Sequence, residues 1–248
     1  MASLNDLNIK IFADGASLEG MKALYANPLI KGFTTNPTLM RKVGVSDYVA
    51  FAHEVLAAIP DRPVSFEVFA DDFGEMELQA REIATWGPNV NVKIPITNTK
   101  GQSSVPLIGR LSAAGVALNI TAVFTLDQVR EVAGVLAKDV PAIVSVFAGR
   151  VADTGIDPLP LMTQCKQALA DCPKAELLWA SPRELLNIFH ADSVDCDIIT
   201  VTHDTLAKLT SVGKDLAQFS LETVQMFHDD ATKAGFTIEV EGPSRVTA

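Results

Sequence analysis

Eight short runs rich in β-branched and apolar residues recur along the chain, alternating with segments in which apolar residues fall at helical spacing. That alternation is the pattern of β-α units, whose strands pair in parallel because each crossover returns the chain to the same end of the sheet. The runs are Asn8 to Asp14, Lys31 to Thr34, Pro63 to Val68, Val90 to Ile96, Val116 to Thr121, Ala142 to Phe147, Leu177 to Ala180 and Asp197 to Thr202. Helices are predicted over Ser46 to Ala58, Gly74 to Ala84, Ser103 to Ala114, Leu126 to Lys138, Pro158 to Ala170, Pro182 to Phe189 and Lys214 to Ala234. Ser17, Ser46, Thr125, Asp157, Ser181 and Asp204 have side chains suited to cap helix starts, and Gly115 and Gly235 sit where helices would stop. Eight strands with helices between them and no long linker favour an α/β fold of one closed type, a single (β/α)8 TIM barrel, over a doubly wound sheet.

The 248 residues, 48% hydrophobic and 20% charged, supply a large core and show no disorder signature. We expect one domain over residues 1–248, with a C-terminal helix at about 214–234 and a tail at 235–248. The formal charge of −10, with no long run of Lys and Arg, argues against a nucleic-acid partner. An anionic metabolite would need a few bases and amides converging locally. The start MASLNDLNIKIFADG lacks a signal-peptide pattern, and no apolar stretch reaches the ~18 residues of a membrane span, so a cytoplasmic protein without membrane contact is expected. Cys165, Cys172 and Cys196 match no zinc spacing and read as isolated thiols, so no metal site is expected.

Strand parity identifies polar residues that face the barrel interior. In Asn-Val-Asn-Val-Lys-Ile-Pro-Ile at 89 to 96, Val90, Val92, Ile94 and Ile96 share the face toward the helices, which turns Asn91 and Lys93 inward. An ammonium is costly to desolvate there, and the free amine it yields is a nucleophile. The same parity turns Ser65, Glu67, Asn119 and Thr121 inward, while Asp14 ends the first run and Thr34, Thr35 and Asn36 close the second. All these strand ends meet on one rim, where such barrels place their active sites. A lysine, two carboxylates, two amides and several hydroxyls can form an imine with a ketone and shuttle protons during carbon–carbon cleavage. Arg150 and Arg183, near later strand ends, are candidate phosphate ligands, with Ser181 and first-turn amides beside Arg183.

Five segments in order carry a resemblance: Thr-Thr-Asn-Pro-Thr at 34 to 38, Val-Lys-Ile-Pro-Ile-Thr at 92 to 97, Leu-Asn-Ile-Thr-Ala-Val-Phe at 118 to 124, Phe-Ala-Gly-Arg at 147 to 150 and Ala-Ser-Pro-Arg at 180 to 183. With them the chain resembles the transaldolase family, in its compact subgroup that includes fructose-6-phosphate aldolases. The resemblance implies that Lys93 forms the imine, Asp14 is the acid/base residue, and Glu67 and Thr121 hold the catalytic water. It implies further that Asn36 and Asn119 bind substrate hydroxyls, that Thr34 lines the same rim, and that Arg150, Ser181 and Arg183 bind phosphate. The aldolase subgroup has glutamine where Glu67 stands and tyrosine where Phe147 stands, so this chain has the transaldolase residue at both. A glycine, Gly15, follows Asp14 where the family has alanine or a small hydroxyl residue, and Asn98-Thr99-Lys100 replaces a tryptophan-containing segment of longer members.

The expected activity is transfer of a dihydroxyacetone unit from a ketose phosphate to an aldose phosphate, a step of the pentose phosphate pathway in carbohydrate metabolism, without cofactor and in a homo-oligomer. Two other readings stay open at this point: aldol cleavage that releases dihydroxyacetone, and a non-catalytic sugar-phosphate-binding barrel. His53, His190, His203 and His228 share no motif, and His203 reads as a loop residue without a chemical role. Phe51, Phe66, Phe189, Phe219 and Phe227 read as core, and Asp71-Asp72 as solvated.

Overall fold

A computed structural model describes residues 4–239. Its strands are β1 (Lys10–Asp14), β2 (Ile30–Thr34), β3 (Val64–Glu67), β4 (Val90–Pro95), β5 (Leu118–Val123), β6 (Ala142–Val146), β7 (Ala175–Trp179) and β8 (Ile198–Thr202). They pair in chain order and close on themselves, every pair parallel, as the β-α alternation requires. The helices are α1 (Leu18–Tyr25), α2 (Pro37–Lys42), α3 (Tyr48–Ala58), α4 (Phe73–Ile83), α5 (Val105–Ala113) and α6 (Leu126–Ala133). They continue with α7 (Ala148–Asp153), α8 (Pro158–Ala168), α9 (Leu186–Ser193), α10 (His203–Leu206) and α11 (Leu216–Ala234). The single (β/α)8 barrel is thus the observed fold, built by the compact unit Asn5–Leu209.

Helix starts follow local hydrogen bonding. Ser17 accepts from the Gly20 amide, Asp157 from Leu159, and Thr125 with Gln128 forms a reciprocal capping box. Three expected starts are corrected: Asp47 rather than Ser46 caps α3, Asp204 lies inside α10 after Thr202, and Ser181 starts no helix. The segment from Pro182 is irregular up to Leu185, because the Asn187 side chain accepts from the Arg183 and Glu184 amides and replaces helical bonds there. Asp71 and Asp72 are likewise structural: Asp72 caps α4, and Asp71 accepts from the Thr99 amide and hydroxyl, which holds its carboxyl below the usual range.

Two apolar layers result. Outward residues such as Val90, Val92, Ile94, Leu118 and Ile120 join the large core between strands and helices, together with Phe51 and Phe66. Cys165, Cys172 and Cys196 are buried free thiols, and burial pushes Cys165 up to about 11. A smaller cluster of Phe12, Ile143, Leu178, Ala180 and Ile198 fills the inside of the barrel. Here Gly32 matters, because a Cβ on it would lie 2.5 Å from the Phe12 ring. Only hydrogen at that position leaves room for the ring.

The second compact unit joins Leu4 to the chain from Thr210 onward and contains α11, capped by Asp215 and ended by Gly235 at φ 68°. Its apolar stripe is unburied, so Phe219 and Phe227, at 45% and 64% exposure, are not the core residues expected. The expected tail beyond residue 239 lies outside the described residues. Among the described residues no helix is long and apolar enough to cross a membrane.

Gly32→Ala should destabilise the barrel by about 1–3 kcal/mol through overpacking against Phe12, and Gly32→Ala with Phe12→Leu should recover part of that loss; denaturant unfolding of both variants checks it.

Candidate active site

The strand C-termini surround a cavity of about 410 Å³. Asp14, Thr34, Asn36, Glu67, Lys93, Asn119, Thr121, Phe147, Arg150 and Ser181 all line it. These residues come from seven β-α units, and parallel pairing is what brings them together. Of the expected site residues, Arg183 alone is outside this lining. Its guanidinium is ion-paired with Asp153 and donates from Nε to the Gly149 carbonyl at 3.4 Å. The Arg183 and Glu184 amides, expected to favour an anion, are used by Asn187 instead.

Lys93 is buried at 8% exposure. Its Nζ donates to the Thr35 carbonyl at 3.0 Å and lies 3.2 Å from Glu67 Oε2. Lys93 and Glu67 are direct neighbours in the β3–β4 register, so parity alone puts them side by side. The Glu67 backbone is held in turn by Tyr48, whose hydroxyl accepts from the Glu67 amide at 2.8 Å and donates to the Glu67 carbonyl at 3.0 Å. Burial in the Phe66 and Trp86 cluster raises the Tyr48 phenol, so it stays protonated as a donor.

Asp14 faces the cavity from the end of β1. Thr34 Oγ1 donates to its Oδ1 at 2.8 Å, and since a hydroxyl has one proton, Thr200 must donate to Thr34 in their short contact. Asn36 adds its amide nitrogen, 3.3 Å from Asp14 Oδ2, and its orientation is set elsewhere. Its Oδ1 caps α2 by accepting from the Leu39 amide at 3.0 Å, which leaves Nδ2 to face Asp14. Burial nevertheless dominates and raises the Asp14 carboxyl above its ordinary range, against the lowering effects of Lys93, Thr34, Asn36 and His203.

Asn119 is fully buried. Its Nδ2 donates to Ser65 Oγ at 3.0 Å and its Oδ1 accepts from Ser145 Oγ at 2.7 Å, leaving one N–H and one lone pair for a ligand. Beyond Thr121 the β5–β6 register shifts, and Ala122 takes the left-handed φ of 58°. This break in alternation lets adjacent residues 121 and 122 both line the cavity. Across the rim, a Cβ on Gly149 would fall 1.6 Å from the Ser181 carbonyl oxygen, and Ser181 itself is at φ 57°. The start of α7, which carries Arg150, and the loop that carries Ser181 are therefore in backbone contact. Arg150 lies over the Phe147 ring, 5.1 Å from its centroid.

Sequence reasoning left out Ser145, Thr200 and Tyr48. Ser145 between Val144 and Val146, and Thr200 between Ile199 and Val201, carry the same parity signal that found Asn119. Tyr48 carries none, because it acts from a helix on a backbone.

Because burial raises Asp14, its favourable contribution to folding is present below the unfolded value of 3.8 and is lost as pH rises through the folded value. Asp14→Asn should therefore be more stable than the parent at neutral pH, with the gap closing toward pH 3.8, as thermal unfolding across pH would show. A parent that is the more stable at neutral pH would contradict the burial argument.

Known proteins resemble this chain in sequence and in fold. A sequence model of the family described as "Transaldolase/Fructose-6-phosphate aldolase" matches residues 11–239. A "Probable transaldolase" of Dehalococcoides mccartyi is 36% identical over 202 residues, covering 81% of this chain and 90% of its own. A "Probable transaldolase 2" of Listeria monocytogenes is 34% identical over 205 residues, covering 82% and 89%. Among solved structures, KGPDC from Streptococcus mutans superposes with a TM-score of 0.56 over 79% of this chain and 88% of its own at 10% identity, a likeness of fold alone. The chain therefore belongs to the transaldolase/fructose-6-phosphate aldolase family, as a barrel enzyme of the aldolase type.

Proposed function

We propose that the protein transfers a dihydroxyacetone unit from a ketose phosphate, such as fructose 6-phosphate or sedoheptulose 7-phosphate, to an aldose phosphate. The observation that carries this reading is one buried lysine amine with a carboxylate at 3.2 Å, on a cavity rim that a second, burial-raised carboxylate shares. The Lys93 amine attacks the ketose carbonyl, and loss of water gives an imine. Asp14 takes the proton of the hydroxyl on the carbon beyond the bond to be broken. That bond's electron pair moves into the imine, an aldehyde leaves, and an enamine remains on Lys93. The enamine adds to the acceptor aldehyde, Asp14 returns the proton to the new alkoxide, and water, held by Glu67 and Thr121, hydrolyses the imine.

The remaining rim residues suit the same substrate. Asn36 and Asn119 offer hydrogen bonds to hydroxyls near the imine carbon, and Thr34 keeps Asp14 in place. Arg150 and Ser181 would take the phosphate. Arg183 would join them only after exchanging Asp153 for the phosphate oxygens, which a dianion favours by charge. Phe147 supports transfer over release: a phenyl ring has no proton to give and cannot anchor a water that would quench the enamine as free dihydroxyacetone.

Borohydride reduction in the presence of fructose 6-phosphate should leave a stable adduct on the peptide containing Lys93, and Lys93→Ala should give neither adduct nor turnover; full activity in Lys93→Ala would exclude the imine route. Asp14→Asn should lower kcat by about 10²-fold or more. Consumption of fructose 6-phosphate should depend on an added acceptor such as erythrose 4-phosphate, and an equal rate without it would mean simple cleavage. Phe147→Tyr should raise cleavage relative to transfer, measured as free dihydroxyacetone released per acceptor consumed.

A further inference from the structure

His203 opens α10, immediately after β8, and is half-buried behind the β1 end that carries Asp14. Sequence reasoning read it as a loop residue without chemistry, because nothing along the chain connects it to residues 14 to 20. In the fold two glycines make its place. A Cβ on Gly15 would lie 2.8 Å from His203 Nε2, and a Cβ on Gly20 would lie 2.5 Å from its Cε1 and 2.9 Å from its Nδ1. The imidazole occupies the volume that side chains at both positions would need. Gly15 directly follows Asp14 in the chain.

We propose that His203 is a positioning residue for Asp14: its ring, wedged into the space left by Gly15 and Gly20, fixes the β1–α1 turn and places an ionisable group behind the carboxylate. This inference rests on the proposed role of Asp14 in proton transfer.

Two features argue against mere space filling. The Nε2 atom is buried without a hydrogen-bond partner, so an apolar ring of similar size would fill the space without orphaning a polar atom. What an apolar ring lacks is a response to charge. The groups that bear electrostatically on the imidazole are Asp14 from β1 and Asp204 from its own helix, both favouring its charged form, while α1 meets the ring with Gly20. Burial outweighs them and lowers His203, which favours the neutral ring. In acid the ring gains a proton, and its charge then favours the Asp14 carboxylate.

The decisive measurement is an NMR titration of the four histidine imidazoles in the intact protein, with His203 assigned by its loss in His203→Ala. In Asp14→Asn the His203 midpoint should fall by about half a pH unit or more, since a favourable negative charge is removed. An unchanged midpoint overturns the proposal. The titration needs no substrate, so it decides the coupling even if the parent proves inactive on sugar phosphates, an outcome that would sink the proposed activity alone. Kinetics supply the second arm. Gly15→Ala should lower kcat about tenfold or more with little change in KM, and adding His203→Ala should restore it to within about threefold of His203→Ala alone. If Gly15→Ala keeps parental kcat, or if the double variant loses as much as the two single losses combined, the wedge does not position Asp14.

Discussion

Closing eight parallel strands into a barrel leaves a narrow interior that every second strand residue must enter, and whatever enters is taken out of water. The lower part satisfies this with apolar groups, where Phe12, Ile143, Leu178 and Ile198 fill the space and Gly32 admits the largest ring. The upper part admits charge, and charge there persists only when compensated. Lys93 answers Glu67 across one strand pair, while Asp14 gathers donors from Thr34 and Asn36 against the raising effect of its own burial. That same shortage of solvent strengthens the hold of the Asp14 carboxyl on its proton.

Groups in such a site also need fixed orientation, and here the scaffold supplies it with ordinary structural devices. Asn36 is a helix cap whose capping bond decides which end of its amide faces Asp14. Tyr48 reaches from α3 to hold both backbone polar groups of Glu67. Gly149 lets the start of α7 lie on the carbonyl of Ser181, which brings the helix that carries Arg150 against the loop that carries Ser181. His203 would do for the first strand what Tyr48 does for the third. In each case a residue with a local structural duty aims its neighbour at the cavity.

Much of the site was legible because strand parity is a purely local rule. Lys93, Glu67, Asn119 and Thr121 could be assigned to the interior from their apolar neighbours, and the parallel β-α order then placed them on one rim with Asp14 and Asn36. Arg183 and the helix after it were read less well. Asn187 diverts the amides that would have begun a helix at Pro182, and Asp153, 30 residues earlier, pairs with the arginine. Neither contact leaves a periodic trace. The α11 phenylalanines have core-like spacing, but spacing reports an apolar stripe and not what lies against it.

The sequence by itself determined the barrel, its strand and helix order, and the inward set centred on Lys93, because periodicity of two and of 3.6 residues is written into neighbouring side chains. Only the tertiary structure decided which inward groups touch, how Asp14 is buried and oriented, that Arg183 is held by Asp153, and that His203 sits in the space of two absent side chains. Those outcomes depend on distances between strands and loops far apart in the chain, and on volumes that packing alone assigns. Local patterns set the direction of a side chain, whereas its partners and its exposure to water are properties of the closed fold.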